Sequence, residues 1–201
     1  MGFIVDNGFK VDDLFCGLKV YETGHLPECF SKENDLIFVA MQWDGLNSNR
    51  KKVYERLKSI GYRFANIISP NAIIHSEIKG DNCWICDYVI IENDVEIGNN
   101  VFIKSKATIL HCSNIRNHSF IGANSLIAGS CNVGEQSYVG ISSTIFNRVN
   151  IGKKCLVGAC TYVKRNLPDY TIIKTPNDEF IQIQSSEEEI ETKLLASVKI
   201  R

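Results

Sequence analysis

The chain has 201 residues, 44% of them hydrophobic and 22% charged, enough apolar material for one well-filled core or two small ones. Its 22 basic and 23 acidic side chains leave a net charge of −1, which excludes the basic footprint of a nucleic-acid binder or of a protein drawn to anionic membrane surfaces. No apolar run reaches transmembrane length, and the first residues lack the basic and apolar segments of a signal peptide, so a cytoplasmic protein with neither membrane nor nucleic-acid partner is expected.

Residues 1–70 read as part of an α/β domain. Residues 2–6 (GFIVD) are a candidate strand, with a turn at Asp6, Asn7 and Gly8. The run 36–41 (LIFVAM) is apolar throughout, the mark of a strand covered on both faces. Residues 47–60 carry Val53, Leu57 and Ile60 at helical spacing, and Gly61 supplies the stop. A further strand is expected over 63–69, ended by Pro70. Strand, crossover, strand, helix, strand is a fragment of a doubly wound sheet. A nucleotide-binding domain of that type opens on a strand and a glycine-rich turn that holds phosphate at a helix N-terminus. Neither Gly2 nor Gly8 forms that motif, so the α/β domain is expected to be incomplete, one strand short at its start.

Residues 71–168 follow a period of six. From Ile85 to Val163 every sixth residue is Ile or Val, fourteen sites without exception. A second series, two residues earlier, runs from Cys83 to Thr161 and holds only Cys, Val, Ala, Ser or Thr. Period six suits neither an amphipathic helix nor a hairpin sheet; it suits a parallel β-helix of hexapeptides. Three hexads make a triangular coil of about eighteen residues, and coils stack at the strand spacing of about 4.8 Å. The Ile/Val ladder then points inward, the small series lines the corners, and glycines and asparagines such as Gly98, Asn100, Gly122 and Gly134 are expected to supply left-handed corner conformations. Ile73 is in register but Lys79 falls on an inward site, so the first coil is expected to be bent. The ladder is expected to stop at Asn166-Leu167-Pro168. Residues 169–201 are then short closing strands, over 170–183, and an amphipathic helix opened by a Ser186/Glu189 capping box. The period alone does not give the hand of the coil.

Cys83, Cys131 and Cys155 of the eight cysteines occupy inward sites, where a thiol packs as a small apolar group, and all eight are read as reduced. Cys83 and Cys86 form a CxxC, but no second pair follows and no metal site is expected. His111 stands at the fifth position of its hexad, next to a corner and on the outer surface, where an imidazole suits general-base work at neutral pH.

These features together resemble the NeuD/PglD-like sugar acetyltransferases of the left-handed β-helix class. GFIVDN resembles that family's second strand and turn, GYRFANIISPNAII its entry into the β-helix, and the hexads from VEIGNNVFI to VNIGKKCLVGACTYV its prism. The resemblance implies a mainly β protein: a left-handed parallel β-helix preceded by a small, incomplete α/β domain. It implies a homotrimer that transfers acetyl from acetyl-CoA, as cosubstrate, to an amino sugar, a nucleotide-linked sugar or a sialic acid in polysaccharide biosynthesis. His111 matches the general base, and Cys112 the orienting position where many relatives carry Glu or His. Gly129, Ile141 and Ala159 match positions along acetyl-CoA; Phe120 takes the place of a cofactor-contacting histidine, and His118 would line the same groove. Lys164, with Lys153, Lys154 and Arg165, would meet the CoA phosphates, and Asp6 and Asn7 match the turn that holds the sugar nucleotide. Two other readings stand beside it. A hexapeptide carbonic anhydrase would need His75 and His111 as ligands, but has Arg116 where its third ligand is expected. A catalytically degenerate trimeric scaffold or binding protein is the alternative that Cys112 favours.

Overall fold

The computed structural model describes residues 1–41 and 44–174. The amphipathic helix expected near the C-terminus and the closing strands expected beyond 174 lie outside the described residues.

Each hexad contributes a strand of two residues, one pointing out and the ladder residue pointing in. The strands stack into three parallel faces. Face one has seven strands, from Ile67–Ile68 to Ile172–Ile173. Face two has six, from Ile73–Ile74 to Tyr162–Val163, and face three has four, from Glu96–Ile97 to Asn150–Ile151. Through most of the prism residue i pairs with i+18: Ile103 with Ile121, Ile109 with Ile127, Ile115 with Val133. The ladder residues are buried in one continuous core, each worth about 1.5–3 kcal/mol of burial.

The small series is small for a second reason besides space. Ser119, Ser125, Ser137 and Ser143 are buried, and each hydroxyl donates to a carbonyl of the next coil, that of Gly134, Gly140, Gly152 and Gly158 respectively. Cys83 does the same toward Gly98, so this thiol of the CxxC faces the prism interior, where burial pushes it up to about 11. A buried hydroxyl without such a partner would cost more than its burial returns.

The corners bear out the asparagine Asn100 but not the glycines. The left-handed residue recurs every sixth position from Asn82 to Cys160, with φ between 52° and 64°, and none of these fourteen residues is glycine. They include Tyr88, Lys106, Cys112 and His118. At the eleven from Asn100 onward the strain is offset by a main-chain hydrogen bond to the neighbouring coil, as from Cys112 N–H to Asn93 O and from His118 N–H to Asn99 O. The glycines serve close approach instead. A Cβ on Gly134 would lie 2.4 Å from the Gly152 carbonyl carbon, and one on Gly122 2.6 Å from the Ile141 nitrogen.

The two ends also depart from the simple period. Ile74, not Ile73, pairs with Ile91, and Ile68 pairs with Ile85, a spacing of seventeen. Ile78 packs into the core while Lys79 is exposed and Gly80 abuts Gly98, so the missing residue lies at 78–80 and face three has no strand in the first coil. At the other end the ladder does not stop at 166–168. Leu167 bridges to Ile151 and Ile173 pairs with Val157, through a coil shortened by two residues.

The N-terminal part forms two small sheets rather than one doubly wound sheet. Strands Phe3–Val5, Leu18–Glu22 and Leu14–Phe15 make one, the last two as a hairpin; Leu36–Ile37 and Arg63–Phe64 make the other. The run 36–41 yields only that two-residue strand because Val39 leaves it for the prism: its N–H donates to Asn82 Oδ1 and its carbonyl accepts from Arg50. The expected strand 63–69 is likewise split, Ile67–Ile68 turning away to become the first rung of face one. The helix Asp44–Ser59 starts regularly only after three left-handed residues, Gly45, Leu46 and Asn47, and its Tyr54 and Leu57 share a second core with Leu26, Ile37, Tyr62 and Phe64.

Candidate active site

The prism has three corners, and the outward residues of the three faces decide what each can do. Face one presents Trp84 stacked on Phe102, with Phe120 edge-on to Phe102, and the N-terminal part covers it through Phe38 and Arg50. Face three presents polar groups, Glu96, Asn114, Asn132 and Asn150. Face two presents Ile73, Ile90, Thr108, Leu126, Thr144 and Tyr162, apolar or small at every rung and partly or fully exposed.

His111 stands on the corner between faces two and three, exposed, after the strand Thr108–Ile109. Its ring lies over Gly129 one coil above: a Cβ built there would be 2.7 Å from Cε1 and 2.8 Å from Nε2. The glycine is therefore the seat of the imidazole. Its own N–H donates to Asn147 Oδ1 at 3.0 Å. Cys112 is exposed beside His111 at the left-handed position. Lys164 is on the same corner, its ammonium 5.0 Å from the centre of the Tyr162 ring. Lys153 and Lys154 belong to a different corner, between faces three and one, where Lys153 pairs with Asp169 at 3.5 Å; the four cations expected together are thus divided. Ile141 and Ala159 lie one coil apart on the corner between faces one and two, and the Ile141 carbonyl accepts from Cys160 N–H.

His118 and Phe120 are not with them. His118 is 4% exposed on the corner between faces three and one, packed under the helix Asp44–Ser59. Phe120 is buried on face one between Phe102 and Tyr138. His118 is held there by the docked helix, which a single sequence read in hexads does not reveal. The anchor that sequence reasoning missed is a polar column at the coil spacing: Asn82, Asn100, His118 and Gln136, all buried. Helix residues bolt onto it. Arg50, 0% exposed, donates from Nε to Asn100 Oδ1 at 2.7 Å and from Nη2 to Asn82 O at 2.6 Å. Asn47 Nδ2 donates to His118 O, and Gln136 Nε2 to Ser48 Oγ. Burial pulls the guanidinium down to about 10, still charged at neutral pH.

Because Arg50 can only donate, Asn100 must turn its oxygen toward it and its amide nitrogen toward His118 Nδ1, 2.9 Å away. Nδ1 is then an acceptor and the ring is neutral. Burial first, then Lys51, holds His118 down to about 4, against the opposing pull of Glu55 and Glu135. The unfolded chain therefore binds a proton that the folded one refuses between pH 6.5 and 4. This stability is whole above pH 6.5 and is lost as pH falls toward 4. Chemical denaturation of the protein should show about 2 kcal/mol less stability at pH 5 than at pH 7 from this group. In His118→Gln that share of the loss should vanish; an unchanged pH dependence in the variant would refute a neutral His118.

Asp6 and Asn7 are engaged within the N-terminal part. Asp6 pairs with Arg56 at 2.6 Å, and Asn7 Oδ1 accepts from Gly24 N–H at 2.8 Å. Among the described residues no three His, Cys, Asp or Glu side chains gather as a metal site, and no helix is long and apolar enough to cross a membrane.

The family model described as the GMPPB C-terminal domain matches residues 67–172, just over half of the chain. No curated protein matches in sequence. Among solved structures, PerB from Caulobacter crescentus in complex with CoA and GDP-perosamine is 27% identical with a TM-score of 0.72, over 81% of this chain and 78% of that one. The acetyltransferase domain of PglB from Neisseria gonorrhoeae is 22% identical with a TM-score of 0.75, over 86% and 82%. WeeI from Acinetobacter baumannii is 19% identical with a TM-score of 0.72, over 86% and 82%. The chain shares with them the left-handed parallel β-helix.

Proposed function

The chain belongs to the GMPPB C-terminal domain family and is an acyltransferase of the hexapeptide-repeat, NeuD/PglD-like kind, and on that premise we propose that it passes acetyl from acetyl-CoA directly to an amino sugar, free or nucleotide-linked. The observation that carries this reading is the exposed His111 imidazole seated on Gly129 at one margin of face two.

His111 accepts the proton of the acceptor's amine or hydroxyl as that group attacks the thioester carbonyl; the C–S bond then breaks, and the imidazolium returns the proton to the departing CoA thiolate. Acetyl goes to the acceptor without a covalent enzyme intermediate. Gly129 gives the carbonyl no free donor until it displaces Asn147 from the glycine N–H.

Ile141 and Ala159 border face two on its other margin. In a cyclic trimer joined through face two, the His111 margin of one copy meets the Ile141 margin of the next, and the two halves of the acetyl-CoA groove come together. The apolar outward rungs of face two and the coverage of face one support that arrangement. PerB, 27% identical, is described with CoA and GDP-perosamine, which supports a nucleotide-linked amino sugar as the acceptor. A cytoplasmic enzyme of polysaccharide biosynthesis fits these substrates.

The test is release of free thiol from acetyl-CoA in the presence of nucleotide-linked 4-amino sugars, with sedimentation to give the oligomer. Turnover by a trimer is the expected result. Binding of acetyl-CoA with no turnover on any amino sugar would favour the trimeric scaffold instead.

A further inference from the structure

Four of the fourteen corners satisfy one exposed main-chain donor in the same way: the residue before the left-handed position has its N–H capped by an Asn or Asp side chain from the coil above. Asn99 Oδ1 caps Asp81 at 3.0 Å, Asn117 Oδ1 caps Asn99 at 2.8 Å, Asn147 Oδ1 caps Gly129 at 3.0 Å, and Asp169 Oδ1 caps Lys153 at 2.9 Å.

His111 occupies the same corner position, but the residue above it is Gly129, which has no side chain to offer. Its N–H is capped from the opposite side, by Glu92 Oε2 in the coil below, at 2.9 Å. The reversal has a steric cause. Any side chain at 129 would enter the volume of the imidazole, whose Cε1 is 2.7 Å from where a Cβ would stand. A cap from above and the seated ring exclude each other at this corner, and a cap from below is what lets capping and the ring coexist.

We infer that Glu92 is a positioning residue for His111: its carboxylate fixes the His111 main chain in place of a cap from above, so that the ring can rest on Gly129. This inference rests on His111 being the base. Glu92 acts through the backbone and need not touch either substrate. A side chain with an oxygen in the same place should therefore replace it, and one without should not.

The experiment compares Glu92→Ala with Glu92→Gln in the full chain, by two readouts. The first is kcat against KM for acetyl-CoA. The second is the NMR shift of the Gly129 Hα protons, which the ring current of an imidazole lying over them displaces. Glu92→Ala should lower kcat about tenfold or more with KM within about twofold, because the base is misplaced rather than the cosubstrate weakened. It should also move the Gly129 Hα signals toward unstacked values. Glu92→Gln should restore both, with kcat within about threefold of the parent. Unchanged kcat and unchanged Gly129 signals in Glu92→Ala would overturn the inference. So would a Glu92→Gln variant as impaired as Glu92→Ala, which would make the charge and not the cap responsible. The Gly129 signals do not depend on activity, so a parent protein inactive on every acceptor would sink the proposed function and leave this inference testable.

Discussion

Replacing His111 by alanine is expected to lower acetyl transfer by about 10²- to 10⁴-fold, the usual worth of a positioned general base. The fold should not notice. His111 is exposed, its side chain rests on a glycine, and its main-chain hydrogen bonds, from its N–H to Glu92 and into its carbonyl from Ser130, survive the substitution. Surface changes of this kind fall within about 0.5 kcal/mol. The measurements are thiol release at saturating acetyl-CoA, and sedimentation and thermal melting of the same preparation. A variant with near-parental turnover would remove His111 as the base, and none of the other described histidines could take its place at that corner. His75 lies two coils away in the irregular first coil, His118 is buried under the helix, and His25 belongs to the N-terminal part.

The comparison of His111 with His118 shows how far a sequence read in hexads can reach. The ladder from Ile85 to Val163 is legible because period six, sustained over many coils, has one structural solution, and the structure places those residues in one interior. Which histidine faces solvent is not legible in the same way. His111 and His118 both stand at corners, each within two residues of a small inward serine, Ser113 or Ser119. What separates them is the helix Asp44–Ser59, docked on one corner and absent from the other. A trace of this exists in the sequence once coils rather than hexads are aligned. Positions 82, 100, 118 and 136 read Asn, Asn, His, Gln, a column of amides and imidazole that a free corner has no use for. The deletion at 78–80 hid for a related reason: Ile73 and Ile74 are both β-branched and apolar, and only the pairing of Ile74 with Ile91 decides which points inward. The corner conformations are legible only in part: Asn100 carries left-handed backbone as its residue type suggests, but no glycine of the prism does. Repeated inter-coil hydrogen bonds let Lys106 or Cys112 adopt it, and the glycines are needed where backbones touch.

Arg50→Ala should be the most destabilising truncation outside the ladder. The guanidinium replaces water for three carbonyl or amide oxygens at once: Asn100 Oδ1, Asn82 O and Val39 O. Its flat face lies 5.1 Å from the Phe38 ring centre and 5.9 Å from that of Phe102. Removal strands those buried oxygens and leaves a void between the helix and face one. The penalties of unsatisfied acceptors and of a cavity together come to about 3–5 kcal/mol. Arg50→Lys keeps a charge but has no fork to reach Asn82 and Asn100 together, so it should recover only part of the loss. Denaturant unfolding measures the effect, and limited proteolysis locates it. Cleavage should begin in residues 1–66 while the prism, which keeps its own core, stays intact. If Arg50→Ala unfolded within about 0.5 kcal/mol of the parent, as an exposed position would, the helix would have to be held to the prism by the remaining contacts alone. Those include Asn47 to His118, Ser48 to Gln136, Lys51 to Glu135 and Lys58 to Asp81. The last two are partly exposed, and ion pairs of that kind contribute about 1 kcal/mol or less each, which is too little to order the N-terminal part without the buried guanidinium.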